Sequence, residues 1–359
     1  MNILPLTDER ADDWHAIAAA SPDAWFWHTP DWLAFVKAVG AQYFVEDLSA
    51  LIYVNREPLA ICPVILEERG GYRRFTYLGE FLPFPAFRPG VIESVRAKAI
   101  EHYAAWLDAL AVVRDVAYTR VIIPALAERT GNGGADAWNP LLRHGYLDIS
   151  TASQILDLRA DVDALWQDVR KGHRSDIKRA AGSCDVRVWD DETITHETFD
   201  AYRTLHAIDA GRVTRGTATF DMMLGWIRKG NAVLVEARRG GEPVAFAVVI
   251  LFGSGAYYAS SCKHPDVDAP AIHLVQWETV KWLKAHGYRR YDLGLQYFGP
   301  AWTHVPSPKE ISIARFKRGF GGATRRVDVA ERFFSTAVLE QAGRERLQAL
   351  IAAREHQPR

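Results

Sequence analysis

A short apolar segment, Tyr291-Asp292-Leu293-Gly294-Leu295-Gln296, predicts a β-strand that ends in polar residues. A loop with Pro and Gly separates it from Ile311-Ser312-Ile313-Ala314-Arg315-Phe316-Lys317-Arg318-Gly319-Phe320-Gly321-Gly322, a helix-like segment that ends in a glycine turn. Ligands bind in α/β proteins where strands end in irregular loops. Lys317, beside Phe316, is therefore expected to be a cation on an apolar floor that can stabilise a developing oxyanion.

The second segment also fits a simpler interpretation. Arg315, Lys317 and Arg318 can form a solvated basic turn. Phe316 and Phe320, four residues apart, can lie on the core-facing side of a helix. The local pattern alone favours this simpler interpretation, and the catalytic hypothesis depends on the rest of the chain.

Length and composition predict a globular protein of two domains. A chain of 359 residues is too long for one ordinary core, and 48% hydrophobic with 24% charged residues is typical of globular chains. The net charge of -1 gives no global attraction to nucleic acid. We predict an N-terminal domain over residues 1–155, a second domain with the active site over 156–335, and a C-terminal helix and tail over 336–359.

Several classes of protein are disfavoured by missing motifs. The three cysteines are far apart and the twelve histidines show no metal-ligand spacing, so neither a disulfide nor a metal is expected. The motifs GxSxG, GxxxxGK[ST] and GxGxxG after a strand are absent, which disfavours α/β-hydrolases, nucleotide hydrolysis and hydride transfer. Without a signal-peptide pattern or an apolar run of about 20 residues, we predict a cytoplasmic protein.

The predicted elements repeat in two halves, each with three extended runs, a helix and a last strand. In the first half these lie at residues 44–54, 59–66, 72–78, 93–113 and 118–123. In the second half they lie at residues 232–237, 244–252, 256–261, 271–286 and 290–293. A Gly-rich loop is expected at residues 130–136. The repeat predicts an α+β fold with two tandem domains, each a mixed, mostly antiparallel sheet flanked by helices.

Two basic segments lie on this nearly neutral chain. On a helix, Lys171, Arg174 and Lys178 share one face. Arg318 belongs to the second segment, which ends at Arg326. A solvated face is the usual explanation of such a run, and a phosphate-binding face is the alternative.

Several segments between residues 25 and 329 follow one another in a distinctive order and spacing. They are Thr29-Pro30-Asp31-Trp32 with Lys37, Leu165-Trp166 with Lys171 and Arg174, Asp209-Ala210-Gly211-Arg212-Val213-Thr214-Arg215, Gln276-Trp277, Tyr291-Asp292-Leu293-Gly294 and Arg315-Phe316-Lys317. Together they resemble the FemABX family of aminoacyl-tRNA-dependent peptidyltransferases, which contain two copies of the GNAT acyltransferase fold. The resemblance implies two tandem GNAT-like domains.

The resemblance also implies transfer of an acyl group, typically an amino acid carried by tRNA, to an amine. Lys317 with Phe316 would lie at the reacting carbonyl and stabilise the oxyanion. The residues that would bind the acceptor are Lys37, Arg215, Tyr258, Asp292 and Gln296. The residues that would bind tRNA phosphates are Lys171, Arg174, Lys178 and Arg318. Direct attack by the bound amine requires no cofactor and no metal.

Two departures from the family patterns matter. GNAT enzymes hold the coenzyme A pyrophosphate with a Gly-rich turn, and this chain has Lys263-His264-Pro265-Asp266-Val267-Asp268-Ala269-Pro270 at that place. This departure disfavours the usual mode of coenzyme A binding and leaves a tRNA or a carrier protein open as the donor. At the place of an acceptor-binding aspartate the chain has Ile122-Ile123-Pro124-Ala125, which disfavours a UDP-muramyl-pentapeptide. Another cell-wall peptide, a surface amino sugar or a biosynthetic amine are the acceptors considered.

Three functions stay open from the sequence. The first is a FemAB-like transferase that uses aminoacyl-tRNA. The second is an N-acyltransferase that uses acetyl-CoA or another acyl-CoA. The third is a non-catalytic scaffold that binds RNA or peptide, because a fold does not fix a function. The acyl group, the acceptor and the oligomeric state are not specified by the sequence.

Overall fold

The computed structural model describes residues 1–127 and 139–355, which form two compact units. Of the described residues, the first unit contains 1–127, 139–151, 297–309 and 326–355, and the second contains 152–296 and 310–325. The Gly-rich loop predicted at residues 130–136 lies outside the described residues.

Three helices and strands that are mostly antiparallel make up most of the described part of residues 1–148. The helices are α1 (Ala11–Ala20), α2 (Pro30–Val39) and α3 (Glu93–Arg114). The strands are β1 (Asn2–Pro5), β2 (Phe44–Asp47), β3 (Ala50–Val54), β4 (Glu57–Cys62), β5 (Ile65–Arg69), β6 (Tyr72–Phe75), β7 (Leu82–Pro83), β8 (Ala86–Phe87), β9 (Val116–Ile122) and β10 (Leu147–Asp148). Strand β9 is parallel to β6 and β7.

From residue 151 onward, helices and strands alternate in blocks. The helices are α4 (Val162–Asp168), α5 (Lys171–Ala181), α6 (His196–Ala210), α7 (Thr217–Arg228), α8 (Ala271–Ala285), α9 (Pro308–Arg318) and α10 (Thr336–Glu355). The strands are β11 (Thr151–Asp157), β12 (Asp185–Trp189), β13 (Ala232–Arg239), β14 (Glu242–Phe252), β15 (Gly255–Lys263), β16 (Arg290–Leu295), β17 (Ala323–Val327) and β18 (Val329–Phe333).

The first unit contains two sheets. One has the order β1-β3-β4-β8, and the other has the order β10-β18-β9-β6-β5-β2 with β7 also paired to β9. Strand β18, from the C-terminal part of the chain, lies antiparallel to β9, with Val329 opposite Ile122. The first unit therefore combines strands from both ends of the chain.

The extended runs predicted at residues 44–54 and 59–66 are each divided between two strands, because the chain passes from one sheet to the other within each run. Leu48 N donates to Val64 O at 2.9 Å, and Val64 N donates to Ser49 Oγ at 3.2 Å. These hydrogen bonds hold the two crossings side by side, and β2 and β5 pair in one sheet while β3 and β4 pair in the other.

The second unit has one seven-stranded sheet with the order β12-β13-β14-β15-β16-β11-β17. Strands β12 to β15 are antiparallel neighbours, β15 and β16 are parallel, and β16 and β11 are antiparallel. Helices α5 and α8 pack against each other, and α8 covers β13 and β14 with buried residues such as Val275 and Leu283. The predicted fold class, α+β with mixed, mostly antiparallel sheets flanked by helices, is confirmed.

The N-terminus of α2 follows the usual rules for a helix start. Thr29 has extended backbone geometry and its hydroxyl accepts from Trp32 N at 3.2 Å, while Pro30 occupies the first turn. The helix ends at Gly40. In the described part of the chain, the helices that are long enough to span a bilayer lack the apolar content needed to do so.

Candidate active site

Strands β15 and β16 pair over only three residues before they separate. Residues 255–257 lie opposite residues 290–292, and no further pairing between the strands follows. Strand β15 continues to Lys263 beside β14, and β16 continues to Leu295 beside β11. The polar end of β16 therefore loses its neighbour on one side, at the place where α/β sheets commonly bind ligands.

Lys317, on α9, lies directly over Gly294 at the end of β16. A Cβ atom on Gly294 would lie 2.8 Å from Lys317 Nζ and 3.8 Å from the Tyr257 ring. Gly294 has a φ of +94°, a backbone conformation that favours glycine. The glycine thus provides both the backbone bend and the space in which the ammonium lies.

The Lys317 ammonium is half-buried and has no hydrogen bond or ion pair with any described residue. Burial lowers its pKa from the ordinary 10.5, and the negative charge of Asp292 raises it in part. A cation held this way has donor N–H groups available for an incoming oxygen. The geometry suits the stabilisation of an oxyanion.

Asp292 is the carboxylate that influences Lys317 most. It is 6% exposed, and its Oδ1 accepts from Gly294 N at 2.7 Å and from the Ser153 hydroxyl. Burial raises the pKa of Asp292 to about 6, although Ser153, Gly294 and the charge of Lys317 favour the ionised form. Asp292 therefore faces into the strand end and does not form a close ion pair with the lysine.

Gln296 and Arg318 contact each other beside this pair. Arg318 Nη1 donates to Gln296 Oε1 at 2.8 Å, and Gln296 Nε2 donates to Gly294 O at 3.2 Å. Gln296 is buried, so both ends of its amide hold the strand end in place. Of the predicted residues, the structure brings together Lys317, Asp292, Gln296 and Arg318.

Phe316 lies on the other side of α9, in a group of aromatic rings. Its ring centroid lies 5.5 Å from that of His173, 5.0 Å from that of His273 and 5.2 Å from that of Phe320. Phe316 is half-buried and packs on the main core of the second unit. Its ring anchors the end of the helix on which Lys317 stands.

A cavity of about 690 Å³ lies between α6 and α7 and is lined by Arg215. Its charged and titratable lining residues are Arg203, His206, Arg212 and Arg215, and its apolar ones include Ile208, Val213 and Phe220. Arg215 Nη1 lies 3.4 Å from Ser260 Oγ on β15, which also accepts from Tyr202 at 3.0 Å. The cavity combines a cationic wall with an apolar one, which suits an anion attached to an apolar group.

Tyr258 lies on β15, two residues before Ser260. Its hydroxyl donates to Ser261 Oγ, and burial raises its pKa to about 12. The hydroxyl is therefore neutral and retains a lone pair that can accept a hydrogen bond.

The remaining predicted cations lie on α2 and α5. In the first unit, Lys37 forms an ion pair with Asp47 at 3.0 Å. On α5, Lys171 and Lys178 are exposed, whereas Arg174 donates to the carbonyls of Trp166 and Gln167 at the end of α4.

Sequence reasoning missed a cluster of His173, Asp176 and His273 beneath Phe316. Their potential ligand atoms lie within 4.8 Å of one another. Phe316 O can only accept, so His173 Nε2, at 2.9 Å, carries a proton, and His173 Nδ1 accepts from Arg170 Nη2 at 3.1 Å. Because neither ring nitrogen has a free lone pair, this arrangement does not fit a metal ligand. Only the spacing of His173 and Asp176, three apart on a helix, could have indicated the cluster.

Residues 160–301 match the family model described as Acetyltransferase (GNAT) domain. This match covers most of the second unit. The model spans the diverging strands β15 and β16 and the cavity beside Arg215, but not Lys317. No curated protein matches the sequence.

Solved structures support the same fold over nearly the whole chain. The chain resembles FemX with a TM-score of 0.69 at 13% identity, covering 95% of this chain and 99% of FemX. It also resembles L-PGS from Bacillus licheniformis, with a TM-score of 0.56 at 14% identity and coverage of 90% and 96%. A C-terminal domain assigned to a lysylphosphatidylglycerol synthetase of Agrobacterium fabrum gives a TM-score of 0.56 at 13% identity and 94% coverage of both chains. The resemblance to the FemABX family within the GNAT superfamily is confirmed at the level of the fold.

Proposed function

We propose that this protein transfers an aminoacyl group from a tRNA-bound ester to an amine, within its acyltransferase fold. The observation that carries the proposal is the Lys317 ammonium, half-buried over Gly294 and without a partner among the described residues. A carbonyl oxygen gains negative charge when an amine attacks it, and an unpaired cation in a half-buried place stabilises that charge.

The proposed reaction is a direct aminolysis. The amine nitrogen forms a bond to the ester carbonyl carbon, and Lys317 stabilises the resulting oxyanion. The carbon–oxygen bond to the donor then breaks, and the proton released by the amine balances the charge on the leaving oxygen. The described residues need only position the two reactants, because no covalent enzyme intermediate forms.

The cavity between α6 and α7 is proposed to hold the acceptor. Its three arginines, Arg203, Arg212 and Arg215, would bind a phosphate or carboxylate, and Val213 and Phe220 would contact an apolar part. Arg215 Nη1 reaches Ser260 Oγ on β15, which connects the cavity wall with the strand that separates from β16.

The donor is proposed to be a tRNA because of two features. Lys171 and Lys178 present an exposed cationic face on α5, as phosphate contacts require. Residues 264–270, before α8, contain no glycine and are closed by their own hydrogen bonds, Val267 N to His264 O and Ala269 N to Val267 O. A pyrophosphate of coenzyme A would lack the usual glycine turn there. The name of the lysylphosphatidylglycerol synthetase neighbour, which denotes an aminoacylated product, is consistent with this donor.

The decisive experiment measures transfer of radiolabelled amino acids from a total charged-tRNA pool to a panel of amines, with wild type and Lys317→Ala. Label should move to one class of amine and should be lost in the variant. If wild type transfers no label, the tRNA proposal is wrong.

A coenzyme A-dependent N-acyltransferase is the second candidate, because the matching family model describes acetyltransferases. The same panel incubated with acetyl-CoA distinguishes it: consumption of acetyl-CoA without tRNA-derived label would replace the first proposal by this one. Salt-sensitive tRNA binding without any product from either donor would instead indicate a binding scaffold.

A further inference from the structure

The turn that follows Lys317 is hydrogen-bonded to the segment that connects α4 and α5. Arg170 N donates to Gly319 O at 2.9 Å, and Gly322 N donates to Asp168 Oδ2 at 2.6 Å. His173 Nε2 lies 2.9 Å from Phe316 O. The carbonyl at the end of α9 and both sides of the glycine turn are therefore bound to one short segment of chain.

The hydrogen bond between His173 and Phe316 O forms in only one tautomer of the imidazole. Because Phe316 O can only accept, His173 donates through Nε2, and Nδ1 must then be the acceptor for Arg170 Nη2 at 3.1 Å. His173 is 2% exposed, and burial is the main cause that lowers its pKa below 6.5. The imidazole is thus neutral, with each nitrogen committed to one partner.

The ring of His173 also fixes the turn by contact. A Cβ atom on Gly319 would lie 2.1 Å from His173 Nε2, so the glycine backbone lies directly on the imidazole edge. The ring centroids of His273 and Phe320 lie 4.5 Å and 4.9 Å from that of His173. The turn can move little while this ring keeps its orientation.

The charged groups that face His173 come from three sides. Arg170 lies just before α5, Asp176 lies one turn further along α5, and His273 lies on α8. A second proton on His173 would remove the acceptor for Arg170 and place two cations 3.1 Å apart. The hydrogen-bonded arrangement requires the neutral ring.

We propose that His173, oriented by Arg170, is a positioning residue that sets the Lys317 ammonium over Gly294 by holding the carbonyl of Phe316 and the backbone of Gly319. His173 acts through the turn and does not touch the reactants. Its catalytic consequence rests on the proposed transfer reaction, whereas its effect on the position of Lys317 does not.

The direct test replaces His173 by Phe, which keeps an aromatic ring in the cluster and removes both hydrogen bonds. Competitive labelling of lysine amines over a range of pH, read by mass spectrometry, gives the pKa of Lys317 in each variant. Wild type should show a pKa below 10.5, and His173→Phe should move it toward 10.5 as the ammonium leaves its half-buried place. Labelling of Lys178, on the same helix as His173, serves as the internal control.

The kinetic test uses the transfer assay. His173→Phe should lower kcat by about tenfold or more, with KM for donor and acceptor unchanged within about twofold, because misplacement of a catalytic group slows the chemical step. Arg170→Met should lower kcat less, and should add nothing in the His173→Phe background. His173→Gln, which can donate to Phe316 O and accept from Arg170, should recover part of the loss.

The outcomes separate the positioning role from the proposed function. If wild type transfers nothing but the pKa of Lys317 shifts in His173→Phe, the proposed reaction fails and the positioning role stands. If the pKa of Lys317 and kcat are both unchanged in a folded His173→Phe variant, the positioning role is overturned. A change in melting temperature without either effect would show a structural role alone and would overturn it too.

Discussion

Gly294 and Lys317 share one space, because a Cβ on the glycine would lie 2.8 Å from the lysine Nζ. The first residue belongs to a strand and the second to a helix that starts 13 residues beyond that strand. The ends of the strand and of the helix are therefore packed so closely that one added atom, a Cβ at position 294, would disturb the contact. An alanine at this position tests it.

Gly294→Ala should displace the lysine and reduce transfer by about a hundredfold. The variant should also lose about 1–2 kcal/mol of stability, because φ is positive at this position. Gly241→Ala is the matched control, with a φ of +89° and nothing within 4 Å of its added Cβ. Equal activity losses in the two variants would contradict the role of the Gly294 contact.

Lys317→Met should separate activity from stability. Transfer should fall by about 10²–10³-fold because the oxyanion loses its cation. Chemical denaturation should show a free energy of unfolding unchanged or raised by about 1 kcal/mol, since a half-buried ammonium without a partner is replaced by an apolar chain. Lys281→Met, on the exposed side of α8, should leave both quantities unchanged. A large stability loss in Lys317→Met would show that the ammonium is structurally bound.

Asp292 should make the folded protein less stable as the pH rises, which is the opposite of the usual effect of a carboxylate. Its pKa is raised from 3.8 to about 6 in the folded state, so the native protein binds more protons than the unfolded chain between these values. Protonated Asp292 therefore stabilises the folded state, and this contribution to the free energy of unfolding is fully present below pH 3.8. It is lost as the pH rises through 6, and the loss amounts to about 3 kcal/mol.

The substitution Asp292→Asn should remove this decrease in the free energy of unfolding. The asparagine side chain can still accept the hydrogen bonds from Ser153 and Gly294. Denaturation curves at several pH values measure the difference between variant and wild type. The same variant should lower the pKa of Lys317 further, because the carboxylate raises it. The alkaline limb of the activity profile should therefore move to lower pH, and a shift in the opposite direction would refute the coupling.

Arg215→Gln should raise the KM for an anionic acceptor by about tenfold, because one charge-assisted hydrogen bond is lost, and should leave kcat within about twofold. An acceptor analogue without its anionic group should bind wild type and variant equally. Arg228→Gln, exposed at the end of α7, is the control. Equal KM values for Arg215→Gln and wild type would place the acceptor outside this cavity.

Arg346→Met should destabilise the first unit. Arg346 binds both oxygens of the fully buried Glu331 at 2.6 and 2.7 Å, and Arg120 provides only a longer contact at 3.4 Å. Loss of Arg346 leaves a buried carboxylate poorly paired, at a cost of about 2 kcal/mol in thermal or chemical denaturation. Arg344→Met, whose partner Glu340 is exposed, should cost less than about 0.5 kcal/mol.

The sequence allowed the fold class and much of the order of elements to be predicted, because strand runs and turn residues follow local rules. The helix predicted at residues 93–113, which is α3 in the structure, is an example. The crossings at Leu48 and Val64 were missed because nothing local distinguishes a strand from one that changes sheets. Such crossings are set by distant partners.

The candidate site shows the same division. Lys317 and Asp292 were named as site residues through the resemblance to the FemABX family, but the space above Gly294 depends on how α9 lies against β16. His173 was counted among histidines without metal spacing, and its tautomer depends on Phe316, 143 residues away in sequence. Contacts of this kind are created by tertiary packing and produce no periodic pattern in the sequence.

The insertion of β18 between β9 and β10 has a consequence for synthesis of the protein on the ribosome. Strand β9 is complete at residue 122, but its neighbour β18 is made about 200 residues later. At a translation rate of about 5–20 residues per second, the edge of β9 stays unpaired for about ten seconds or more before β18 is synthesised. A nascent chain with an open β9 edge is a template for wrong pairing, so we expect chaperones that shield strand edges to act on the first unit during translation.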